Sequence, residues 1–239
     1  MYTTLIRILL TLVLVAGVPA LSYSTARKIE IRKMPRLGLY LSAVISQWLL
    51  MSVAWGLVYL AARQVIAKGF AAMPLSPAME WAAGIAAAAL LALGLVIWCE
   101  QRGWLPRESD LTYRLIPETF REKVWAVLIV APTAAFCEEF LFRGYLLTQL
   151  HDWFHSLVWA WVVSSVAFGL AHCYQGASGM TRAALLGALL AYPVVRWGSL
   201  YPAMLAHWMI DAGALVWLGP WMVRRETAYA PPSETGSSL

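Results

Sequence analysis

Two adjacent carboxylates interrupt an apolar stretch that reads Ala134-Ala-Phe-Cys-Glu138-Glu139-Phe-Leu-Phe-Arg143-Gly-Tyr. An ionisable group inside a membrane span costs about 2.5–3.5 kcal/mol on insertion scales, so such groups are rare and mark functional sites. Successive helix residues point about 100° apart, so Glu138 and Glu139 cannot share one role. Glu139 and Arg143 are spaced i, i+4, which lets their side chains meet on one face. Glu138 is then left to face a cavity. A purely structural ion pair would account for Glu139 and Arg143 but would leave Glu138 without a partner.

Two further segments place imidazoles near this pair. Phe168-Gly-Leu-Ala-His172 ends one apolar run, and His207-Trp-Met-Ile-Asp211 sets another i, i+4 pair on one helix face. Each alone is weak, because a single intramembrane His or pair is often structural. Together they supply a carboxylate and a neutral imidazole, which is what activating a water molecule needs. His or Asp side chains can then orient the water or stabilise an oxyanion. Glu138, His172 and His207 equally suit a His₂Glu zinc site with an open water position, and spacing alone does not separate the two chemistries. The chain lacks the HExxH helix of zinc peptidases. If Glu138 held zinc, only Glu139 or Asp211 would remain as base, and each has a better partner in Arg143 or His207. The favoured expectation is therefore metal-free water activation, with zinc as the alternative cofactor.

Other groups carry blander readings. Cys137 beside Glu138 and Cys173 beside His172 invite a cysteine nucleophile, but adjacent helix positions diverge. Three cysteines without a CxxC pair also give no disulfide framework or structural zinc cluster. His151-Asp152-xx-His155 could bind a metal, yet reads more simply as a polar loop at the membrane interface.

The set Glu138-Glu139-xxx-Arg143, Phe168-xxx-His172 and His207-xxx-Asp211 resembles the three motifs of the CAAX-protease and bacteriocin-processing (CPBP, or Abi) family of intramembrane endopeptidases, glutamic-type or metallo. Phe142-Arg143-Gly144 and the run Arg196-Trp-Gly-Ser-Leu200 leading through Pro202 add to the likeness, which covers about Pro117 to Leu218. The resemblance implies an all-helical membrane peptidase that cleaves near the membrane face. It maps water activation onto Glu138 and His172, and oxyanion stabilisation onto His207 and Asp211. Many members have Asn where this chain has Asp211. An ionised Asp donates no hydrogen bond, so Asp211 must be protonated or must orient His207 instead. The family also contains prenyl-protein endopeptidases, processing proteases and bacteriocin-immunity proteins, so membership does not fix the substrate.

What must position these residues is a bundle of membrane helices. Of 239 residues, 61% are hydrophobic and 13% charged, against about 45–50% and about 25% in soluble domains. Seven apolar runs follow one another: Leu5–Tyr23, Leu37–Ala62, Met79–Cys99, Val124–Leu150, Ser156–Cys173, Ala183–Trp197 and Pro202–Val223. The fold expected is all-α, a polytopic transmembrane bundle of about seven spans. The fourth run is long enough to tilt or project, and the sixth is short and holds Pro193, so a kinked or partial span is expected there. The organisation expected is spans one to three with their cytoplasmic loops over 1–116, a catalytic core over 117–225, and a disordered tail over 226–239. The polar segment Glu100–Lys123 reads as a surface loop. Val18-Pro-Ala20 mimics a cleavage site, but a strong basic cluster follows it at once, so the first run reads as an uncleaved span.

Charge decides orientation. The net charge is +5, but no basic stripe with interleaved aromatics suggests nucleic acid. Arg27, Lys28, Arg32, Lys33 and Arg36 fall on the same side as Arg102, Arg107, Arg114, Arg121, Lys123, Arg182, Arg224 and Arg225 if the spans alternate. Basic short loops favour the cytoplasm. That puts the N-terminus outside and the C-terminus in the cytoplasm of an integral protein, expected in a bacterial cytoplasmic membrane. The partners expected are the lipid bilayer and a membrane-associated protein or peptide substrate. Two rival functions are a non-catalytic immunity or partner-binding scaffold, which does not need Glu138 unpaired, and a proton-coupled transporter, which the lack of repeat halves disfavours.

Overall fold

The computed structural model describes residues 2–28, 33–61, 73–106 and 108–224. Within them the chain forms α1 (Tyr2–Ala26), α2 (Arg36–Ala61), α3 (Leu75–Gln101), α4 (Asp110–Leu115), α5 (Phe120–Phe154), α6 (Leu157–Ala171), α7 (Gly176–Trp197) and α8 (201–224), with no strand among the described residues. The seven apolar runs each become a helix, and α4 is the addition. Five helices (α1, α2, α3, α5 and α7, the last with its leading turn) are long and apolar enough to cross a membrane. The expected tail 226–239, and with it Arg32, Arg107 and Arg225, lies outside the described residues.

Local sequence explains the helix ends. Thr119 and Glu122 form a reciprocal capping box at the start of α5, the side chain of each accepting from the backbone N–H of the other. Ser109 caps α4 and Ser156 caps α6. At the other end of α7, Gly198 takes φ 67°, the left-handed turn that glycine adopts without steric penalty.

The outer faces are apolar where a soluble protein would be polar. Leu49, Leu60, Leu91, Leu95, Val158 and Leu185 are all exposed large hydrophobics, which a bilayer covers. α5 differs, for it lies at the centre. All of Phe140–Leu146 is buried, in a core shared with α1, α2, α6 and α7. A second core joins Ala82, Ile85 and Ala86 of α3 to Leu190 of α7 and Ala206 and Ile210 of α8.

Alternation of the spans is visible in what their ends touch. Arg36 bonds Glu118 and Glu122, Arg114 donates to Met34 O, Ser109 Oγ donates to Tyr174 O, and Arg182 pairs with Glu100 and Glu108. These connections therefore gather at one end of the bundle. At the other end Arg7 of α1 reaches Asp152 of α5. α2 and α5 run side by side in the same direction, with Trp48 against Phe136 and Trp55 against Phe140.

Two expectations need correction. The sixth run begins not at Ala183 but at Gly176, and it continues unbroken through Pro193 to Trp197. The Gly/Ser-rich stretch before Ala183 stays helical because neighbours hold it. Ser178 and Arg182 both bond Glu100 Oε1 at 2.9 Å. One turn before the proline, Trp161 Nε1 of α6 donates to Ala188 O at 2.9 Å, which ties α7 to α6. The polar segment 100–123 is likewise not all loop. α3 runs on to Gln101, α4 occupies Asp110–Leu115, and α5 opens at Phe120.

Candidate active site

α5 carries Glu138 and Glu139 into the bundle. Immediately beyond them the backbone widens into i→i+5 bonding over Phe140–Leu146, a local expansion frequent at functional sites. Ser164 Oγ of α6 donates to Phe142 O at 3.0 Å inside this stretch. α6 comes very close to α7: a Cβ on Gly169 would sit 2.7 Å from Met180 O and from Ala184 Cβ. That approach sets the depth of His172, which follows α6 directly.

The two carboxylates part as their spacing predicts. Glu139 Oε1 lies 2.9 Å from Arg143 Nη1, and both side chains are fully buried. The same oxygen accepts from His207 Nδ1 at 2.8 Å, a link that sequence spacing did not reveal. Arg143 also stacks over the Phe168 ring, 4.0 Å from its centroid. Gly187 makes room for both: a Cβ there would meet Arg143 Nη2 and Phe168 Cδ1 at 3.2 Å. Glu139, Arg143 and His207 form a closed, buried backing for the site.

In front of it stand the more accessible groups. The side chains of Glu138, His172 and Asp211 are 15%, 16% and 31% exposed, against 4% for His207. Glu138 Oε2 lies 3.7 Å from His172 Nε2 and 4.0 Å from His207 Nε2, and it accepts no hydrogen bond from the protein. His172 Nδ1 donates to Phe168 O at 2.8 Å, which leaves the Nε2 lone pair of the neutral ring facing Glu138. His207 Nε2 is 3.6 Å from Asp211 Oδ2. The structure thus brings together Glu138, Glu139, Arg143, His172, His207 and Asp211.

One expectation about Glu138 needs correction. It is not unpaired, since Gln47 Nε2 of α2 donates to its Oε1 at 2.7 Å. Sequence reasoning passed over Gln47 because it is uncharged and lies in a span outside the three motifs. Its only signal was an amide within an apolar run. Asp211, expected either protonated or orienting His207, lies on the Nε2 side of that ring, while Glu139 holds Nδ1.

The other candidates lie elsewhere. Cys137 is buried in the apolar core, and Cys173 Sγ faces Pro19 O and Ser22 Oγ of α1 at 3.5 Å. Asp152 pairs with Arg7, and His155 serves as the left-handed C-cap of the α5 helix. As a zinc set, Glu138 Oε2 lies 3.7 and 4.0 Å from the two imidazole Nε2 atoms of His172 and His207, against the roughly 3.3 Å between donors that tetrahedral bonds of about 2.0–2.1 Å give. Among the described residues no group of three His, Cys, Asp or Glu is arranged to hold a metal ion.

The fold and this network define an all-helical integral membrane protein with an ionisable site built between α5, α6 and α8. Residues 120–213 match the family model described as Rce1-like, type II CAAX prenyl endopeptidase, which bears out the family resemblance of the three motifs. No curated protein and no solved structure matches the chain. The matched segment contains every motif residue but not α2, which supplies Gln47.

Proposed function

We propose that this protein is a membrane-embedded endopeptidase that hydrolyses a peptide bond of a membrane-associated protein or peptide, using water activated by Glu138 and His172. The observation that carries the reading is Glu138 Oε2: it has no protein donor and lies within 4.0 Å of two imidazole Nε2 atoms. A water hydrogen-bonded to both Glu138 Oε2 and His172 Nε2 has its two protons accepted and a lone pair left for attack. As the water oxygen adds to the carbonyl carbon, Glu138 takes its proton. Glu138 then returns that proton to the amine nitrogen as the C–N bond breaks.

His207 stands across from this pair. Its Nδ1–H is held by Glu139, so the doubly protonated ring would turn Nε2–H toward the developing oxyanion. Glu139 and Asp211 would balance that charge from either side. No step in this scheme passes through a metal. The description of the matched family points to lipid-modified C-terminal sequences as substrates. The basic linkers gathered at one end support an orientation with that end, and the C-terminus, in the cytoplasm.

The test uses the full chain in liposomes with two quenched fluorescent peptides, one bearing a farnesylated cysteine near its C-terminus and one unmodified. Wild type is expected to cleave at least one of them. Glu138→Gln should lower kcat by about 10²–10⁴-fold, the usual worth of a general base, while remaining folded. Cleavage by Glu138→Gln at the wild-type rate overturns the reading.

A further inference from the structure

We infer that Gln47 is a positioning residue of the hydrolytic site: its side-chain amide holds Glu138 Oε1, so that Oε2 alone is presented to His172 and His207. The inference rests on the reading of Glu138 as the base. The contact is 2.7 Å, between residues 91 positions apart in the chain. A hydrogen bond that short to a carboxylate is charge-assisted and stronger than a neutral one.

The register that delivers this amide is fixed at several places. Tyr40 Oη donates to Leu115 O at 2.8 Å, and Trp48 Nε1 donates to Thr133 Oγ1 at 3.2 Å. Trp48 stacks on Phe136, and Trp55 packs on Phe140. These contacts fall at Trp48 and Trp55, one heptad apart, so one stripe of α2 follows α5 past the site. Gln47 is thus held beside Glu138 by packing above and below it.

The chemistry of the donor is the second argument. Glu139, the structural carboxylate, is met by the Arg143 guanidinium at 2.9 Å. Glu138 is met by a neutral amide. A cation at that distance would stabilise the carboxylate charge and make it a poorer base. An amide restricts the rotation of the carboxylate but brings no charge of its own. A simple tie between helices would have no reason to distinguish the two carboxylates in this way. It follows that the site is not confined to the matched segment 120–213, because α2 completes it.

The experiment measures kcat and KM on the cleaved peptide for the full-length chain in liposomes. Gln47→Met keeps the length and volume but removes the donor. It should lower kcat by about 10–100-fold, the worth of a hydrogen bond to a charged group, with KM and thermal midpoint unchanged. Gln47→His, whose Nε2–H has a similar reach, should retain most of kcat. Wild-type kcat in Gln47→Met, with Glu138→Gln inactive in the same assay, overturns the role of Gln47 and leaves the base standing. A loss in Gln47→Met that follows a lowered thermal midpoint, and that Gln47→His does not restore, makes the residue a helix tie and also overturns it. Full activity in Glu138→Gln, or a wild type that cleaves neither peptide, overturns the functional reading beneath both.

Discussion

His207 Nδ1 donates to Glu139 Oε1 at 2.8 Å, and Glu139 itself is already paired with Arg143. The second Glu of the motif is therefore held by two partners in a buried network. It joins α5 to α8 through a buried carboxylate and, by accepting from Nδ1, holds the His207 ring with Nε2 on the side of Glu138. The two neighbouring carboxylates differ in setting: Glu139 is fully buried between Arg143 and His207, and Glu138 is partly exposed beside His172.

Arg143→Ala should damage both stability and activity. It leaves Glu139 buried with His207 as its remaining partner, and breaking a buried pair costs about 3–5 kcal/mol. A clear fall in the thermal midpoint in detergent is expected, together with loss of cleavage. An unchanged midpoint would show that the pair contributes nothing to the fold.

Asp211→Asn is expected to be mild. His207 keeps its hydrogen bond to Glu139, and Asp211 stands 3.6 Å away and partly exposed. The value of kcat/KM should stay within about tenfold of wild type, below the 10²–10⁴-fold of a lost acid–base group. A loss as deep as that of Glu138→Gln would place Asp211 in the proton-transfer steps.

Gly169→Ala tests the α6–α7 approach that sets the depth of His172. The new Cβ would lie 2.7 Å from the backbone oxygen of Met180, so the helices must separate. Overpacking of this kind costs about 1–3 kcal/mol. The expected result is a lowered thermal midpoint and a lower kcat as His172 moves from Glu138. Wild-type behaviour in both would show that the two helices part freely.

Orientation is checked by single cysteines at Lys28 and Arg114 in a cysteine-free background. Both positions lie near the end where the basic linkers gather, so an impermeant maleimide should label them only after the membrane is opened. Labelling of either in intact cells would invert the topology.

The metal alternative is checked by titrating a chelator against purified protein in the peptide assay. Cleavage is expected to persist, with no stoichiometric zinc by elemental analysis. Activity lost on chelation and restored by zinc would make Glu138, His172 and His207 ligands.

Much of the site was legible because intramembrane charge is costly and helical spacing is rigid. The i, i+4 relation of Glu139 and Arg143 needed only the pitch of one helix, and seven apolar runs announced seven helices. The contacts that sequence did not disclose join distant helices. His207 meets Glu139 across 68 positions and Gln47 meets Glu138 across 91, and no local periodicity encodes which faces meet. The early start of α7 was hidden for a related reason. Residues 176–182 have loop-like composition, and their helix is held by Glu100 and by close packing on α6 rather than by intrinsic propensity.

Phe168 gives the site a property that no single ionisable residue has. Its one ring lies under the Arg143 guanidinium, beside His172 at 4.6 Å, and edge-to-face with Phe142 at 5.1 Å and His207 at 6.1 Å. Residues that share a partner in this way do not vary independently, and their substitutions interact by about 0.5–3 kcal/mol. Arg143, His172 and His207 thus form one epistatic unit with Phe168 as its hinge. An altered ring disturbs all three at once, and the cost of a second change among them then differs from its cost alone. Any path by which such a site drifts toward new substrates has to leave that ring in place or replace its neighbours together.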